Sequence, residues 1–213
     1  MDYKQALELV GGVSMPSKMP WIGWSTSAFA CMVGTKLREV ADSVCSSCYA
    51  TKGNYRFPGV KAAHDRRLKA LQNPDFVKAM MIVIEKFYAR NKGTENRFRW
   101  HDSGDIQSVD HLKMIVDIAN GLPHIDFWLP TREHKMVKDY MAKYGAFPDN
   151  LAVRLSTVMI GEEPKSQPLG LPYSTVGVDN PVNAQQCIAY TQGGKCLDCR
   201  ACWTKSNINY PKH

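Results

Sequence analysis

The chain has 213 residues, 44% of them hydrophobic and 22% charged, with a formal net charge of +7 and a pI near 9.0. That balance fits a globular domain with room for one sizeable core and excludes a disordered or fibrous chain. No apolar run approaches the ~20 residues of a membrane span, and the opening MDYKQALELVGG lacks the basic start and apolar stretch of a secretory leader.

A cytoplasmic protein, with no membrane partner, is therefore expected. Lys and Arg are spread along the chain, so the positive charge gives nucleic acid only weak support as a partner.

Residues 2–10 predict a short amphipathic helix that Gly11-Gly12 would stop. Residues 21–30 (WIGWSTSAFA) read as a strand by their aromatic and β-branched content. Residues 59–72 read as a helix turning Val60, Ala63, Leu68 and Leu71 to the core, with residues 65–69 as a solvated face. Asn73-Pro74-Asp75 supplies a cap, a first-turn proline and an acidic first turn for the next helix. Its apolar stripe is Val77, Met80, Met81, Ile84, Phe87 and Tyr88, and Gly93 lies just past its end.

Units of strand, polar turn and helix follow: a strand at 97–101, a helix at 109–120 capped by Ser108, and a strand at 125–129. A helix at 133–144, a strand at 151–158, a Pro- and Gly-rich loop at 160–173 and a short strand at 175–178 complete the series. Such alternation predicts βαβ units and a parallel sheet. Five strands cannot close an eight-stranded barrel. The expected fold is α/β, a partial (open) βα barrel of about five mostly parallel strands with flanking helices. One domain would span 1–213: a lead-in at 1–20, the barrel at 21–180, and a cysteine-rich tail at 181–213 packed on the rim.

Seven cysteines lie in two groups, Cys31, Cys45 and Cys48, then Cys187, Cys196, Cys199 and Cys202, with none between. In a reducing compartment clustered thiols bind metal or do redox work. In parallel α/β folds sites form at the carboxyl ends of strands. Cys31 follows the first strand and the second group follows the last, so both cysteine loops are expected at the carboxyl-end rim. The bland occupant is zinc on two CxxC knuckles. An iron–sulfur cluster accounts for more of the thiols, because Cys196-x-x-Cys199-x-x-Cys202 has the tight spacing that wraps a cubane. One 4Fe-4S cluster or two remain open alternatives. Tyr49 and Trp203, each directly after a cysteine, would pack over the metal, and Lys195 and Arg200 would offset its negative charge. His101 is read evenly as a ligand or a rim residue, and His64, His111 and His134 as exposed helix residues.

A cysteine followed by CxxCYA, then HDSGD, LPTR and VRLSTV at strand ends, and GGKCLDCRACW in the tail resemble the bacteriophage gene product 88 proteins, over roughly residues 21–203. Those proteins look like trimmed relatives of radical S-adenosylmethionine enzymes. The resemblance implies a 4Fe-4S cluster on Cys31, Cys45 and Cys48. It also implies S-adenosylmethionine contacts from Ser103, Gly104 and Asp105, with Arg132, Arg154 or Ser156 meeting its carboxylate or ribose. The thirteen residues between Cys31 and Cys45 form a longer gap than those enzymes carry. Whether the chain is an enzyme stays open, as does its substrate. An electron donor or a host protein in the host cytoplasm would be the partner. The competing expectation is a zinc-stabilised interaction protein acting on a host factor or nucleic acid.

Overall fold

The computed structural model describes residues 1–19, 21–91 and 95–212. Seven strands form one sheet: β1 (Gly23–Trp24), β2 (Arg97–Trp100), β3 (Asp126–Thr131), β4 (Leu151–Ser156), β5 (Tyr173–Val176), β6 (Gln185–Gln186) and β7 (Ile208–Tyr210). Their order is β1-β2-β3-β4-β5-β7-β6, and every pairing is parallel. The helices are α1 (Tyr3–Leu9), α2 (Met32–Leu37), α3 (Pro58–Ala70), α4 (Phe76–Arg90), α5 (Val109–Gly121) and α6 (His134–Tyr144).

Five consecutive parallel strands without an order reversal put right-handed crossovers on one face. The helices bear this out, since α1 packs on α4, α4 on α5 and α5 on α6 in the order of the strands. The sheet is open, as expected of a partial barrel, with β6 and β7 added at one edge. Strand alternation then sorts the residues. Phe98, Trp100, Phe127, Leu129, Leu151, Val153 and Leu155 turn to the helices and meet Met80, Ile84, Leu112, Ile115, Val116 and Val137 in the main core. Arg97, Arg99, Trp128, Arg154 and Ser156 turn to the other face, opposite the helices.

Most helices begin and end for visible reasons. Asp2 caps α1 in a reciprocal capping box with Gln5. Ser108 caps α5 by accepting from His111 N–H at 3.0 Å. The expected cap at Asn73 forms one step early, with Asn73 Oδ1 accepting from Asp75 N–H at 2.9 Å before α4 starts at Phe76. Gly93 lies outside the described residues.

The face of α3 differs from expectation. Its buried residues are His64, Arg67 and Ala70 rather than the four apolar positions named from sequence. Arg67 is drawn inward by carbonyl and hydroxyl acceptors: Nε donates to Gly12 O at 3.1 Å and an η nitrogen to Ser14 Oγ at 2.9 Å. Gly11, at φ +73°, allows this contact, because a Cβ there would lie 2.8 Å from the Arg67 nitrogen. Among the described residues no helix is long and apolar enough to cross a membrane.

Candidate metal centre

The first thiol group sits at the carboxyl ends of the strands, as expected. Cys31 closes a short 3-10 turn after β1 and opens α2 as its N-cap. The thirteen-residue gap to Cys45 is taken up by α2 and a turn that fastens to the exit of β4. Val44 N–H donates to Val158 O and Ile160 N–H to Asp42 O, both at 2.9 Å. The gap therefore returns the chain to its starting point. Near its start Gly34 packs closely on the thiols: a Cβ there would lie 3.0 Å from Cys31 Cβ, 3.6 Å from Cys45 Sγ and 3.7 Å from Cys31 Sγ. Both sulfurs thus flank the same bare position, where a side chain would press on Cys31.

One carboxylate fixes this loop and a second holds the turn beneath it. Glu133, only 4% exposed, accepts from Val33 N–H at 2.8 Å and so satisfies a free donor in the first turn of α2. Asp105 is a hub. Oδ1 accepts from Thr131 Oγ1 at 2.6 Å and Ile106 N–H at 2.8 Å, and Oδ2 from Arg132 N–H at 2.9 Å. Burial outweighs these bonds and lifts the Asp105 carboxyl to about 6. Burial, then Asp105, Cys48, Cys45 and Glu133, pushes the Cys31 thiol up to about 12. Burial also raises Cys45, against the nearby Arg132 guanidinium. These thiols are packed where a second negative charge is unwelcome unless a cation joins them.

Ser103-Gly104 lies against the exit of β1. Thr26 N–H donates to Ser103 O at 3.2 Å, and a Cβ on Gly104 would lie 2.2 Å from Thr26 Oγ1. Only glycine permits that approach, at φ +79°. The Ser103, Thr26 and Thr157 hydroxyls are buried without a partner among the described residues. Arg132 donates from Nε to Thr157 O at 3.2 Å, while Ser156 Oγ accepts from Ser174 Oγ at 3.1 Å. Tyr49 is half exposed, and its hydroxyl donates to Asp102 O at 2.5 Å; Tyr55 donates to the Asp102 carboxylate at 3.0 Å. The residues directly after Cys48 are thereby tied to the exit of β2.

The histidines are not as expected. His64 and His111 are buried and His134 is half-buried, its Nε2 3.0 Å from Ser156 O. His101, at φ +53°, turns into the core beside Trp24, Trp100 and His111 instead of facing the thiols. Burial, then His111, holds its imidazole well below the usual range.

The second thiol group begins at the rim but does not stay there. Cys187 follows the carboxyl end of β6, its N–H donating to Asn209 O at 2.8 Å. The chain then descends to the amino ends of the strands. Cys196 N–H donates to Lys18 O at 3.2 Å, Arg200 pairs with Glu95 just before β2, and Lys205 pairs with Asp149 just before β4 at 2.8 Å. The physical reason is β7, a strand not foreseen in the sequence. A parallel strand must be entered from its amino end, so the segment before it has to run down the sheet.

Trp203 anchors the descent, with its ring 4.5 Å from Trp21 and 5.2 Å from Trp128, and Nε1 donating to Phe98 O at 3.2 Å. Cys31 and Cys45 flank Gly34 at the carboxyl ends of the strands, whereas Cys196 is bonded to Lys18 at the opposite end of the sheet. The fold thus keeps two thiol sets rather than merging them. Among the described residues, no three thiols, imidazoles or carboxylates are gathered closely enough to hold a single metal ion as they stand.

The architecture is that of an α/β protein with an open, sequentially ordered parallel sheet and a thiol-bearing loop at its carboxyl rim. The chain matches the gene product 88 family over residues 25–170 and belongs to it. That span holds Cys31, Cys45, Cys48 and the HDSGD, LPTR and VRLST segments, and ends before Cys187. No curated protein and no solved structure matches the chain significantly.

Proposed function

We propose that this phage protein is an iron–sulfur protein of radical S-adenosylmethionine type, holding a 4Fe-4S cluster on Cys31, Cys45 and Cys48 and acting in the host cytoplasm. One observation carries the reading: Cys31 and Cys45 come to either side of Gly34, with Cys48 three residues on, at the carboxyl rim of an open parallel βα sheet. Three soft donors suit a cluster and leave one iron for an exogenous ligand. Such a cluster supplies an electron for reductive chemistry when bound.

The chain's own residues prepare its surroundings. Glu133 fixes the first turn of α2, and hence Cys31 at its cap. Asp105 holds the LPTR turn against the end of β2 through Thr131 and Arg132. With those donors engaging both of its oxygens, Asp105 serves best as the support for Thr131 and Arg132. The unpartnered hydroxyls of Ser103, Thr26 and Thr157 remain to meet a polar cofactor such as S-adenosylmethionine.

The test is to add S-adenosylmethionine to the reduced protein and follow the cluster's electron paramagnetic resonance. A changed signal supports an open iron at the rim, and a Ser103→Val, Thr157→Val chain should weaken the response. An unaltered signal would leave an electron carrier and refute the radical-enzyme reading.

A further inference from the structure

Residues 43–64 contain no Asp or Glu, although Lys and Arg are otherwise scattered along the chain. That stretch and the cysteine loop before it fold into a run of short turns at the carboxyl rim. The 3-10 turn Ala28–Ala30 packs on α2 and on the turn Tyr49–Thr51, which packs on the turn Gly53–Arg56 and so reaches the start of α3. These turns hold three aromatic rings in water: Phe29 is 53% exposed, Tyr49 57% and Phe57 59%. Among the described residues the other phenylalanines are buried or half-buried. Tyr49 is oriented by its hydroxyl bond to Asp102 O and by edge-on contact with Tyr55 at 5.7 Å. Arg38 donates to Ala28 O at 3.0 Å and lays its guanidinium 5.2 Å from the centre of the Phe29 ring.

The same elements carry Lys36, Arg38, Lys52, Arg56 and Lys61, against two acidic residues, Glu39 and Asp42. Among the described residues none of these five cations forms an ion pair, and all but Arg38 are exposed. A ring left in water forfeits the stabilisation of burial, and unpaired cations of one sign repel one another. A partner that relieves both must be anionic and offer flat apolar faces. A phosphodiester chain with unpaired bases does so: its phosphates meet Lys and Arg, and every base has a face to stack. A duplex hides those faces, and these turns offer no long helix to enter a groove, α2 having six residues. An acidic protein is a poorer match, because three of the five cations are lysines and lysine is depleted from protein interfaces.

We propose that the turns around the rim thiols bind single-stranded nucleic acid, with Phe29, Tyr49 and Phe57 as stacking platforms and the five cations as phosphate contacts. The rings bracket the thiols in the chain: Phe29 stands two residues before Cys31, and Tyr49 follows Cys48 directly. A bound strand therefore runs along the thiol loop. The surface stands on exposed side chains alone, so it does not depend on the reading that the thiols hold a cluster.

The experiment uses the full chain as purified and a fluorescent oligothymidylate of about 20 nucleotides, longer than one such site takes up, with anisotropy read across a salt series. Saturable binding that weakens as salt rises is expected, tighter than for the same strand paired with oligoadenylate. Phe57→Ala should weaken it about 5- to 150-fold, the usual loss for one stacked base. Lys52→Gln with Arg56→Gln should lower the slope of log affinity against log salt by about 1.4, ~0.7 for each phosphate contact. Lys78→Gln with Lys86→Gln removes the same charge from exposed positions on α4 and should leave that slope unchanged. If Phe57→Ala fails to fold, Phe29→Ala and the two charge pairs still decide. A parent that does not bind the strand at low salt overturns the proposal. So does an equal fall in slope for the α4 pair, which would mean attraction to net charge alone. Duplex held as tightly as the single strand overturns it too, and polyglutamate held more tightly than either overturns it in favour of an acidic protein.

Discussion

If the tail is a built part of the fold, its single tryptophan should hold a large share of the stability. Trp203 is 8% exposed, meets Trp21 and Trp128 edge-on, and donates to Phe98 O. Trp→Ala at a buried site costs about 3–5 kcal/mol, each aromatic pair adds ~0.5–1.5, and the Phe98 carbonyl loses a bond worth ~1 kcal/mol. Because these contributions overlap, Trp203→Ala should destabilise the chain by about 4–5 kcal/mol. That is a substantial part of the ~5–15 kcal/mol a domain has. Trp203→Phe keeps most ring contact and loses the hydrogen bond, so its change should be about 1–2 kcal/mol. Urea unfolding followed by far-ultraviolet circular dichroism measures both, and limited proteolysis of Trp203→Ala should cut first between residues 187 and 207. A loss below ~1.5 kcal/mol for Trp203→Ala would refute the idea that the tail is part of the core.

Gly34→Ala should improve helix propensity by ~1 kcal/mol, yet its Cβ would press on Cys31 Cβ at 3.0 Å; a fall in bound iron with little change in melting is expected, and equal iron would contradict the role of this close packing. Asn150 Nδ2 reaches Ala119 O, Leu122 O and Ile125 O at 2.9–3.1 Å, joining the end of α5 to the entry of β3. Asn150→Ala should cost about 2–3 kcal/mol in urea unfolding. Burial holds His111 down to about 3 and His101 well below its usual range, and His64 and His134 shift the same way. Their folded pKa values lie below the unfolded ~6.5, so the unfolded chain binds more protons and stability is lost as pH falls below that value. Asp105, raised to about 6, acts oppositely between its unfolded value and 6, but the histidines outnumber it. Melting temperature should therefore drop from pH 7 to pH 4, less steeply in His111→Gln; a flat profile would contradict the burial of these rings.

The helix-sheet alternation could be read because α4, α5 and α6 carry long apolar stripes, and the strand ends HDSGD and LPTR mark the rim. The two strands β6 and β7 could not, since two and three residues within a cysteine-rich tail show no period. Missing β7 is what kept the second thiol set at the rim in the sequence reading. Arg67, His64 and His111 were placed outside because polar residues usually are; their burial depends on acceptors and rings supplied by distant segments. Gly34 and Glu133 had no local signal either, because their roles arise only when α2 folds back beside α6. Arg99 and Arg154 did leave a trace. In RFRW and AVRLS each arginine is flanked by apolar residues, a charge placed on the face opposite the helices, partly buried at Arg99 and fully at Arg154.

The central claim is that the three thiols at the carboxyl rim hold a 4Fe-4S cluster. The most direct test is to purify the chain without oxygen and count iron, acid-labile sulfide and zinc per chain, alongside a visible spectrum. A brown protein with about four irons and four sulfides per cluster, losing one cluster's worth in Cys45→Ser, Cys48→Ser, is the predicted result. A colourless protein that carries zinc and no sulfide would contradict the claim and leave a structural metal on an interaction domain.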